Sequence, residues 1–424
     1  MSAGASLAEL RAVLDEVADA AACSHPIRLA GRTVRGDSGE IERGLLVVAC
    51  NDRRATRCPA CARRYRADAW HLVAAGIVGG KGVPASVTEH PMLFATLTAP
   101  SFGRVHSRPR DPASAAPCAP GRDQRCRHGR PRACALRHRP GDPMLGAPLC
   151  PYCYDVTGAV LFNAHVPLLW NRTTVALVRE LARAADMSER RLRSVARLSY
   201  VKVAEFQRRG SVHLHHVVRL DGADGPGSPP PANLDANVLE TSLRAAVGRV
   251  RVTVPGSADG RRVARSIGWG RELEIHALTG DGLTPAAVAA YVAKYTTKDV
   301  DELGRLGHPI RSLGQLDALG LPSHLDTLAR RAFELGGDPA LSHLHLRERA
   351  HRLGYPGHVQ SKSRVYSTTL GSLRDARRAF VRAHRELPET FDGGWTFVGR
   401  GYLHRDAARE AETLQALDIH STRA

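Results

Sequence analysis

The sequence lacks the apolar run that a membrane-spanning helix requires. No window of the 424 residues approaches the roughly 18 apolar residues that such a helix needs. The residues that follow Met1 also lack a basic segment followed by an apolar one, which is the pattern of a secretory signal. We therefore expect a cytoplasmic protein with no membrane partner.

Acidic residues are too few to balance the basic ones. The chain has 60 Lys and Arg against 42 Asp and Glu, a net charge of +18, and a pI of about 10.1. Such a balance makes a polyanion, nucleic acid above all, the first partner to consider. The chain also lacks a Gly-rich loop ending in Lys-Ser/Thr, so we expect no ATPase or helicase within it.

Nine cysteines are present, most of them between Cys50 and Cys153. In a reducing compartment, clustered cysteines indicate metal ligands rather than disulfides. The knuckles Cys58-x-x-Cys61 and Cys150-x-x-Cys153 together predict one four-thiolate Zn²⁺ site, which has no open position for a catalytic water. We expect zinc here to organise a DNA-contacting insertion.

A second Zn²⁺ site is predicted between the two knuckles, where nitrogen and sulfur ligands recur. Its expected ligands are Cys126, His128, Cys134 and His138. Cys50 is a substitute ligand for either site, whereas Cys23 is expected to be a packed thiol without a metal role. The segment from 104 to 148 shows no periodicity and would need metal to hold it.

The remaining patterns mix strands with helices and predict an α+β fold. The stretch "PMLFATLTAPSFG" alternates as a strand, with Phe94, Thr96 and Thr98 on one side. Helical spacing covers residues 156 to about 185, and "LSYVKVAEFQ" and "SVHLHHVVRL" form two strands around Arg208, Arg209 and Gly210.

His213 and His215 are separated by one hydrophobic residue. On a strand, their side chains leave the same face about 7 Å apart and could reach one metal ion. If Arg208 to Gly210 form a three-residue loop with Gly210 left-handed, Glu205 falls opposite His213 and shares that face. A two-residue loop would turn Glu205 to the other face. The alternative is a strand with incidental histidines.

The stretch "AAYVAKYTTKDV" places Tyr291, Lys294, Tyr295 and Lys298 at i, i+3, i+4 and i+7 of a helix. Thr284 and Pro285 suit the N-cap and first position of this helix. A tyrosine can attack a phosphodiester if cations or a metal favour its phenolate, which the two lysines could help to do. In isolation, an amphipathic packing helix explains the same pattern.

The three segments "FATLTAPSFG", "HLHHVV" and "YVAKYTTK" together resemble the ordered motifs of HUH endonucleases, in which U is a hydrophobic residue. The Tyr-x-x-x-Tyr pair resembles that of two-tyrosine initiators of rolling-circle replication. The segments "CPACARRYRADAW", "LGAPLCPYCYDVTGAVLFNAHVPLLW" and "GHVQSKSRVYSTTLGSLRDAR" are similar to replication initiators of actinomycete plasmids.

This resemblance implies a central antiparallel sheet of HUH type, flanked by helices. It implies that His213, His215 and Glu205 hold Mg²⁺ or Mn²⁺ and that Tyr291 and Tyr295 are nucleophiles, with Lys294 and Lys298 beside them. A tyrosine would nick one origin strand, form a 5′-phosphotyrosine and leave a 3′-OH primer, and the displaced strand would later be rejoined. Relatives that use one tyrosine leave both choices open, with Tyr291 slightly favoured. Plasmid origin DNA, single-stranded at the nick, is the implied partner, together with a host helicase and replication proteins.

Four consecutive regions are expected from these patterns. They are an N-terminal region 1–57, a zinc-binding region 58–153 that contains the first strand at about 92–98, an HUH core 154–302 and a helical, basic DNA-binding region 303–424. In the last region Tyr355 and Tyr366 accompany the basic residues that would contact phosphates.

Two alternatives remain open at the level of sequence. A two-tyrosine transposase or a relaxase would perform the same chemistry on another DNA end. A zinc-stabilised DNA-binding regulator without catalysis would use His213, His215 and Tyr291 only for structure. A protein–DNA adduct that survives denaturation separates the regulator from the enzymes.

Overall fold

The computed structural model describes residues 7–34, 41–109, 111, 114, 116–121, 124–257, 260, 262–278, 284–298, 306, 308–384, 390–391 and 395–421. The chain divides into two compact units. The first unit comprises Met1–Leu72, Thr296–Lys298 and Thr368–Ala424, and the second comprises Val73–Tyr295 and Asp299–Ser367.

The described residues contain α-helices, short 3₁₀ helices and strands. The α-helices are α1 Leu7–Asp19, α2 Pro59–Val78, α3 Val156–Ala184, α4 Glu189–Val195, α5 Ala236–Arg249, α6 Pro285–Thr296, α7 Leu313–Leu319, α8 Ser323–Leu335, α9 Leu370–His384 and α10 Arg405–Ser421. The 3₁₀ helices are Ala85–Glu89, Pro151–Cys153, Pro339–Leu344 and Ala350–Arg352.

The strands belong to three antiparallel sheets. They are β1 Ile27–Val34, β2 Ile41–Val48, β3 Met92–Leu97, β4 Ala196–Phe206, β5 Val212–Gly222, β6 Arg251–Val254, β7 Arg265–Gly268, β8 Leu273–Ala277, β9 Gln360–Lys362, β10 Thr390–Phe391 and β11 Thr396–Arg400. Together with the helices, they confirm the predicted α+β class.

The first unit joins the two ends of the chain in one four-stranded sheet. Strand β1 pairs with β2 along its whole length and with β10 and β11 from the other end of the sequence. The buried Glu16 of α1 accepts hydrogen bonds from the backbone N–H groups of Leu403 and His404. These contacts fix the C-terminal segment within this unit.

The second unit is built on a five-stranded sheet in the order β8-β3-β5-β4-β9. Leu93, Ala95 and Leu97 of β3 alternate onto one face, where they join a hydrophobic core with α3. Phe94 and Thr96 therefore point to the opposite face. The predicted strand near 92–98 and the long helix that begins at 156 are confirmed.

The helical C-terminal region that we expected is only partly present. Residues 303–424 are shared between the two units and contribute strands as well as helices. Strand β9 completes the edge of the five-stranded sheet by pairing with β4, and β11 pairs with β1. Short strands of this kind carry too little periodicity to be separated from loops in the sequence.

The segment from 104 to 148 contains no helix and no strand among its described residues. Isolated bridges, such as those that join Val105 to Pro148 and Ala119 to Cys134, give it its only sheet-like pairing within that part of the chain. Among the described helices, none combines the length and the apolar character needed to span a membrane.

Candidate nuclease site and metal-binding groups

The turn between β4 and β5 sets the register of the histidine strand. The Gln207 N–H donates to the Ser211 carbonyl (2.9 Å), and Gly210 has a φ of +75°. Glu205 consequently lies opposite His213. The predicted three-residue loop is thus confirmed, and the glycine is needed because its conformation is left-handed.

Asn163 of α3 holds this turn from the core side. Its side-chain amide donates to the Gly210 carbonyl (2.8 Å), and its Oδ1 accepts from the Val212 N–H (3.0 Å). Asn163 is fully buried, so both bonds are shielded from water. Sequence patterns gave no indication of this role, because Asn163 lies in the middle of an apolar helix.

His215 is held between two side chains on the sheet. Its Nε2 lies 2.8 Å from the Glu205 Oε2, and its Nδ1 lies 3.0 Å from the Thr96 hydroxyl. Thr96 sits directly opposite His215 on β3. A partner on one ring nitrogen fixes the orientation in which the other nitrogen faces a metal.

His213 presents a buried nitrogen that lacks a hydrogen-bond partner among the described residues. This atom is Nε2, and the ring centroids of His213 and His215 are 6.3 Å apart. Burial, together with the charges of His215 and Arg209, lowers the pKa of His213 to about 3, so the imidazole is neutral. A neutral imidazole is the form that binds metals.

Two imidazoles and a carboxylate fit a divalent ion by donor type, with imidazole nitrogen suiting Mn²⁺ better than Mg²⁺. A bound ion would give the orphaned Nε2 of His213 a partner. Unlike the cysteine-containing groups described below, the three side chains do not bring all their donor atoms within 4.8 Å of one another. At present Glu205 is engaged with His215 instead.

Helix α6 brings both tyrosines to His215. The Tyr295 ring stacks on the His215 ring at 4.8 Å, and the Tyr291 ring meets it edge-on at 5.2 Å. Tyr291 also contacts Phe94 of β3. The three motifs that lie apart in the sequence therefore meet on one face of the sheet.

The two tyrosines differ in exposure and in the pKa of their hydroxyls. Tyr291 is 40% exposed, whereas Tyr295 is 8% exposed. Burial raises the pKa of Tyr291, and a hydrogen bond with Tyr295 opposes that rise. Burial and the same hydrogen bond both raise the pKa of Tyr295, and the Glu205 carboxylate adds to the increase.

The predicted stripe of two tyrosines and two lysines is wrong at one position. The Thr284 hydroxyl caps the helix as expected by accepting from the Ala287 N–H (3.2 Å), but α6 ends at Thr296. Lys298 therefore lies past the helix, where its carbonyl accepts from Arg53 in the first unit. Lys294 is exposed, with its Nζ 5.6 Å from the centre of the Tyr295 ring.

Strand β8 adds two side chains that the sequence patterns did not single out. Glu274 pairs across from Thr96, and its charge raises the pKa of Tyr291. His276 stacks on Phe94 at 6.5 Å. Their alternation in "LEIHA" was the available signal, but nothing in the sequence says that this strand lies beside β3.

All nine cysteines fall into three groups that could hold zinc. Each group has four ligands whose donor atoms lie within 4.8 Å of one another. The first group is Cys23, Cys50, Cys58 and Cys61; the second is His106, Cys118, Cys134 and His138; the third is Cys126, His128, Cys150 and Cys153.

The geometry of these groups suits a tetrahedral ion. Sulfur atoms on a zinc with Zn–S bonds of about 2.3 Å stand about 3.8 Å apart. The Cys23 sulfur lies 3.7 Å from that of Cys58 and 3.6 Å from that of Cys61, and 3.7 Å separates Cys50 from Cys61. In the second group, His138 Nδ1 also meets Asp142 (2.7 Å), an outer carboxylate of the kind that orients zinc-bound histidines.

The predicted grouping of the ligands is wrong. Cys58 and Cys61 do not share a site with Cys150 and Cys153, since the first pair joins Cys23 and Cys50 whereas the second joins Cys126 and His128. The expected set of Cys126, His128, Cys134 and His138 is divided between two groups. Cys23 is a member of the first group and not merely a packed thiol.

His106 and Cys118 were not predicted as ligands. Sequence spacing favours pairs of the Cys-x-x-Cys kind, but the second group takes its residues from positions that are 4 to 16 apart along the chain. Nine cysteines cannot fill three four-ligand sites alone, and the sequence does not say which three of its 20 histidines complete them.

The two tyrosines of the basic C-terminal segment do not lie on the protein surface. Tyr355 and Tyr366 are both fully buried in the second unit. The Tyr366 hydroxyl donates to the Val73 carbonyl (3.1 Å), and that of Tyr355 donates to the His358 carbonyl (3.0 Å). Neither ring can therefore contact DNA, and DNA contact by the basic residues of the same segment stays a prediction.

Comparisons with known proteins point to one family of replication initiators. The family model described as "Replication initiator protein, pSAM2" (RepSA) matches residues 9–416. A replication initiator protein of Streptomyces ambofaciens is 40% identical over 435 aligned positions, covering 96% of this chain and 90% of that protein. No solved structure matches the chain. The chain belongs to the RepSA family of replication initiator proteins.

Proposed function

We propose that the protein starts rolling-circle replication of a plasmid by nicking one strand of the origin with a tyrosine. The observation that carries the proposal is the meeting of Tyr291 and Tyr295 with His215, which also contacts Glu205. Transesterification of a phosphodiester needs a nucleophile and a group that polarises the phosphate. The exposed phenol could be the nucleophile, and the carboxylate and two imidazoles could hold a metal ion that polarises the phosphate. Membership of a replication initiator family supports DNA as the substrate.

Tyr291 is the proposed first nucleophile because it is the more exposed of the two tyrosines. The hydroxyl gives up its proton, its oxygen forms a bond to the scissile phosphorus, and the bond from phosphorus to the 3′ oxygen breaks. The leaving oxygen takes a proton and becomes the 3′-OH primer, while the 5′ phosphate stays on the tyrosine. Because the reaction exchanges one phosphodiester for another, the bond energy is kept for the later rejoining step.

A divalent ion on His213, His215 and Glu205 would polarise the scissile phosphate. Thr96 keeps the His215 ring in place for this purpose, and Lys294 supplies positive charge near the tyrosines. Tyr295, which is buried against His215, is the candidate for the second transfer that closes the displaced strand.

Zinc in the three cysteine-containing groups is proposed to be structural. Each group has four protein ligands, which leaves no open position for a substrate or a water. The absence of a phosphate loop from the sequence implies that a host helicase and host replication proteins continue the process.

The test is the formation of a covalent protein–DNA adduct. The purified protein is incubated with Mn²⁺ and a labelled single strand from its plasmid origin, and then denatured and separated by electrophoresis. We expect an adduct that is lost in Tyr291→Phe and kept in Tyr65→Phe, a matched change at a tyrosine of α2 in the first unit.

Two outcomes would contradict the proposal. A complete lack of adduct with any divalent ion would favour a regulator without catalysis. An undiminished adduct in the double variant Tyr291→Phe, Tyr295→Phe would show that neither tyrosine is the nucleophile. If only Tyr295→Phe abolished the adduct, the order of the two tyrosines would be reversed.

A further inference from the structure

A groove of about 1050 Å³ opens beside His213 in the second unit. One side is formed by the end of β3 and the loop before β8, and another by the turn of the β4–β5 hairpin. The remaining wall comes from the insertion at 104–148, including Val105, His106 and Leu145. This volume is slightly above the range of roughly 300–1,000 Å³ that pockets for small ligands have.

The lining of the groove is strongly basic. Arg108, Arg208, Arg251 and Arg271 line it and are all exposed. Arg209 also lines the groove but is committed to the protein, because it donates to the carbonyls of Ala99 and Pro100. Glu272 is the one acidic side chain among the lining residues of this pocket. Such a field attracts a chain of phosphates and concentrates it next to His213.

The insertion wall is tied to the hairpin turn through the second cysteine-containing group. His106, a ligand of that group, accepts from the Gly146 N–H (2.8 Å) and donates its own N–H to Ala147 (2.8 Å). Gly146 lies against the backbone of Arg208 so closely that an added Cβ would stand 2.3 Å from the Arg208 carbonyl carbon. The group that could bind zinc thus holds the segment that touches the turn next to His213.

We propose that this groove receives the unpaired DNA strand that leads to the scissile phosphate. The second group, when it holds zinc, keeps the insertion in place as the wall of the groove. This inference rests on the proposed function, since it assigns the path of the same substrate. An unpaired strand suits the groove because its phosphates can follow the arginines into a concave site, whereas a duplex is too stiff to bend into one.

The experiment measures binding without chemistry. The full-length protein is titrated into a fluorescein-labelled oligothymidylate, with no divalent ion added, over a range of salt concentrations. We expect the triple variant Arg208→Ala, Arg251→Ala, Arg271→Ala to weaken binding at least about tenfold at 0.15 M salt, because each lost phosphate contact lowers the slope of log K against log salt by about 0.7.

The control removes the same charge from another exposed site of the second unit. Arg190, Arg191 and Arg193 of α4 are exposed and do not line the groove. The triple variant Arg190→Ala, Arg191→Ala, Arg193→Ala should keep most of the affinity for the single strand. Equal losses in the two triple variants would overturn the inference, because net charge alone would then explain the binding.

The role of the insertion is tested by Cys118→Ser, with Cys61→Ser of the first group as the control for general zinc loss. We expect Cys118→Ser to lose affinity for the oligothymidylate and Cys61→Ser to lose less. Tighter binding of a labelled duplex than of the single strand would also overturn the inference.

Failure of this inference and failure of the proposed function are distinguishable. Normal adduct formation together with unchanged binding by the groove variant would refute the groove and leave the nuclease in place. Weakened binding by the groove variant, in a protein that never forms an adduct, would refute the chemistry and leave the groove as a DNA-binding surface.

Discussion

The site on the sheet and the cysteine-containing groups are built in different ways. Glu205, His213 and His215 lie on one hairpin, where alternation and a three-residue turn decide which side chains share a face. The first and second cysteine-containing groups collect ligands from segments up to 38 positions apart, as for Cys23 and Cys61. Local strand geometry therefore decides which side chains meet on the hairpin, whereas the path of the chain over many residues decides which cysteines meet.

This difference explains which predictions succeeded. A register argument needs only the strand period and the turn, and it placed Glu205 opposite His213 correctly. To predict which cysteines share a metal, one must know the distances between residues that are far apart in the sequence. The spacing of cysteines along the chain does not give those distances. The same difference also predicts how the two kinds of site respond to mutation.

The largest effect is expected from loss of a ligand in the first cysteine-containing group. Cys58→Ser should reduce bound zinc by one ion per chain and lower the free energy of unfolding by at least about 3 kcal/mol, because binding of a structural metal contributes directly to folding. Cys58 is fully buried, so a serine there would also leave a polar group without its metal. Zinc content by mass spectrometry and unfolding by calorimetry measure the two quantities.

The matched control is Cys153→Ser in the third group, where the cysteine is exposed. It should lose one zinc with a smaller loss of stability, because water can solvate the remaining ligands. A wild-type protein that purifies without zinc, and whose stability is insensitive to Cys58→Ser, would contradict the assignment.

A large effect on chemistry, rather than on stability, is expected at the hairpin. His215→Ala should slow adduct formation at least about a hundredfold, because the proposed metal would lose a ligand and the two tyrosine rings would lose the imidazole that they contact. His216→Leu should leave the rate close to wild type, since His216 points to the core and contacts Trp170. Single-turnover rates of adduct formation with Mn²⁺ measure this difference. Equal losses of rate in the two variants would contradict a specific role for His215.

Thr96 should matter less than the proposed metal ligands, because it acts through the orientation of His215. Thr96→Val keeps the shape of the side chain but removes the hydroxyl that meets His215 Nδ1. We expect the apparent affinity for Mn²⁺ to fall about 10- to 100-fold. The readout is the Mn²⁺ concentration that gives half-maximal adduct formation. Thr98→Val is the control, since its hydroxyl donates to the Glu272 carbonyl instead; a similar shift in that variant would argue against a specific role.

The smallest effect concerns Lys202, on the face of the hairpin opposite to the site. Burial lowers the pKa of Lys202 to about 8, and its neighbour His216 is likewise buried. The unfolded chain holds this proton up to about pH 10.4, so the folded state binds fewer protons between the two values. Stability attributable to Lys202 therefore rises as the pH increases from about 8 to about 10.4.

Lys202→Met removes the cost of burying an ammonium group. We expect the variant to be more stable than wild type by about 1–3 kcal/mol at pH 7, with the difference shrinking as the pH approaches 10. Urea unfolding at several pH values gives the difference directly. A gap between the two proteins that stays constant with pH would show that Lys202 keeps its ordinary pKa.

The sequence predicted the hairpin, the tyrosine helix and the class of fold because each depends on neighbours along the chain. It did not predict that Lys298 lies beyond the end of α6, since "KYTTKDV" keeps helical spacing without a residue that marks the end. Nor did it predict the burial of Tyr355 and Tyr366, because the basic composition of the surrounding segment suggests an exposed surface.

The sequence by itself determined two histidines and a glutamate on one hairpin, two tyrosines one helical turn apart, and a concentration of cysteines between Cys50 and Cys153 that predicts zinc. Only the tertiary structure decided which cysteines share a group, that Thr96 orients His215, and that the insertion at 104–148 borders a basic groove beside His213. The physical reason is that alternation and helical spacing act over a few residues, whereas metal groups and grooves form where distant segments pack together.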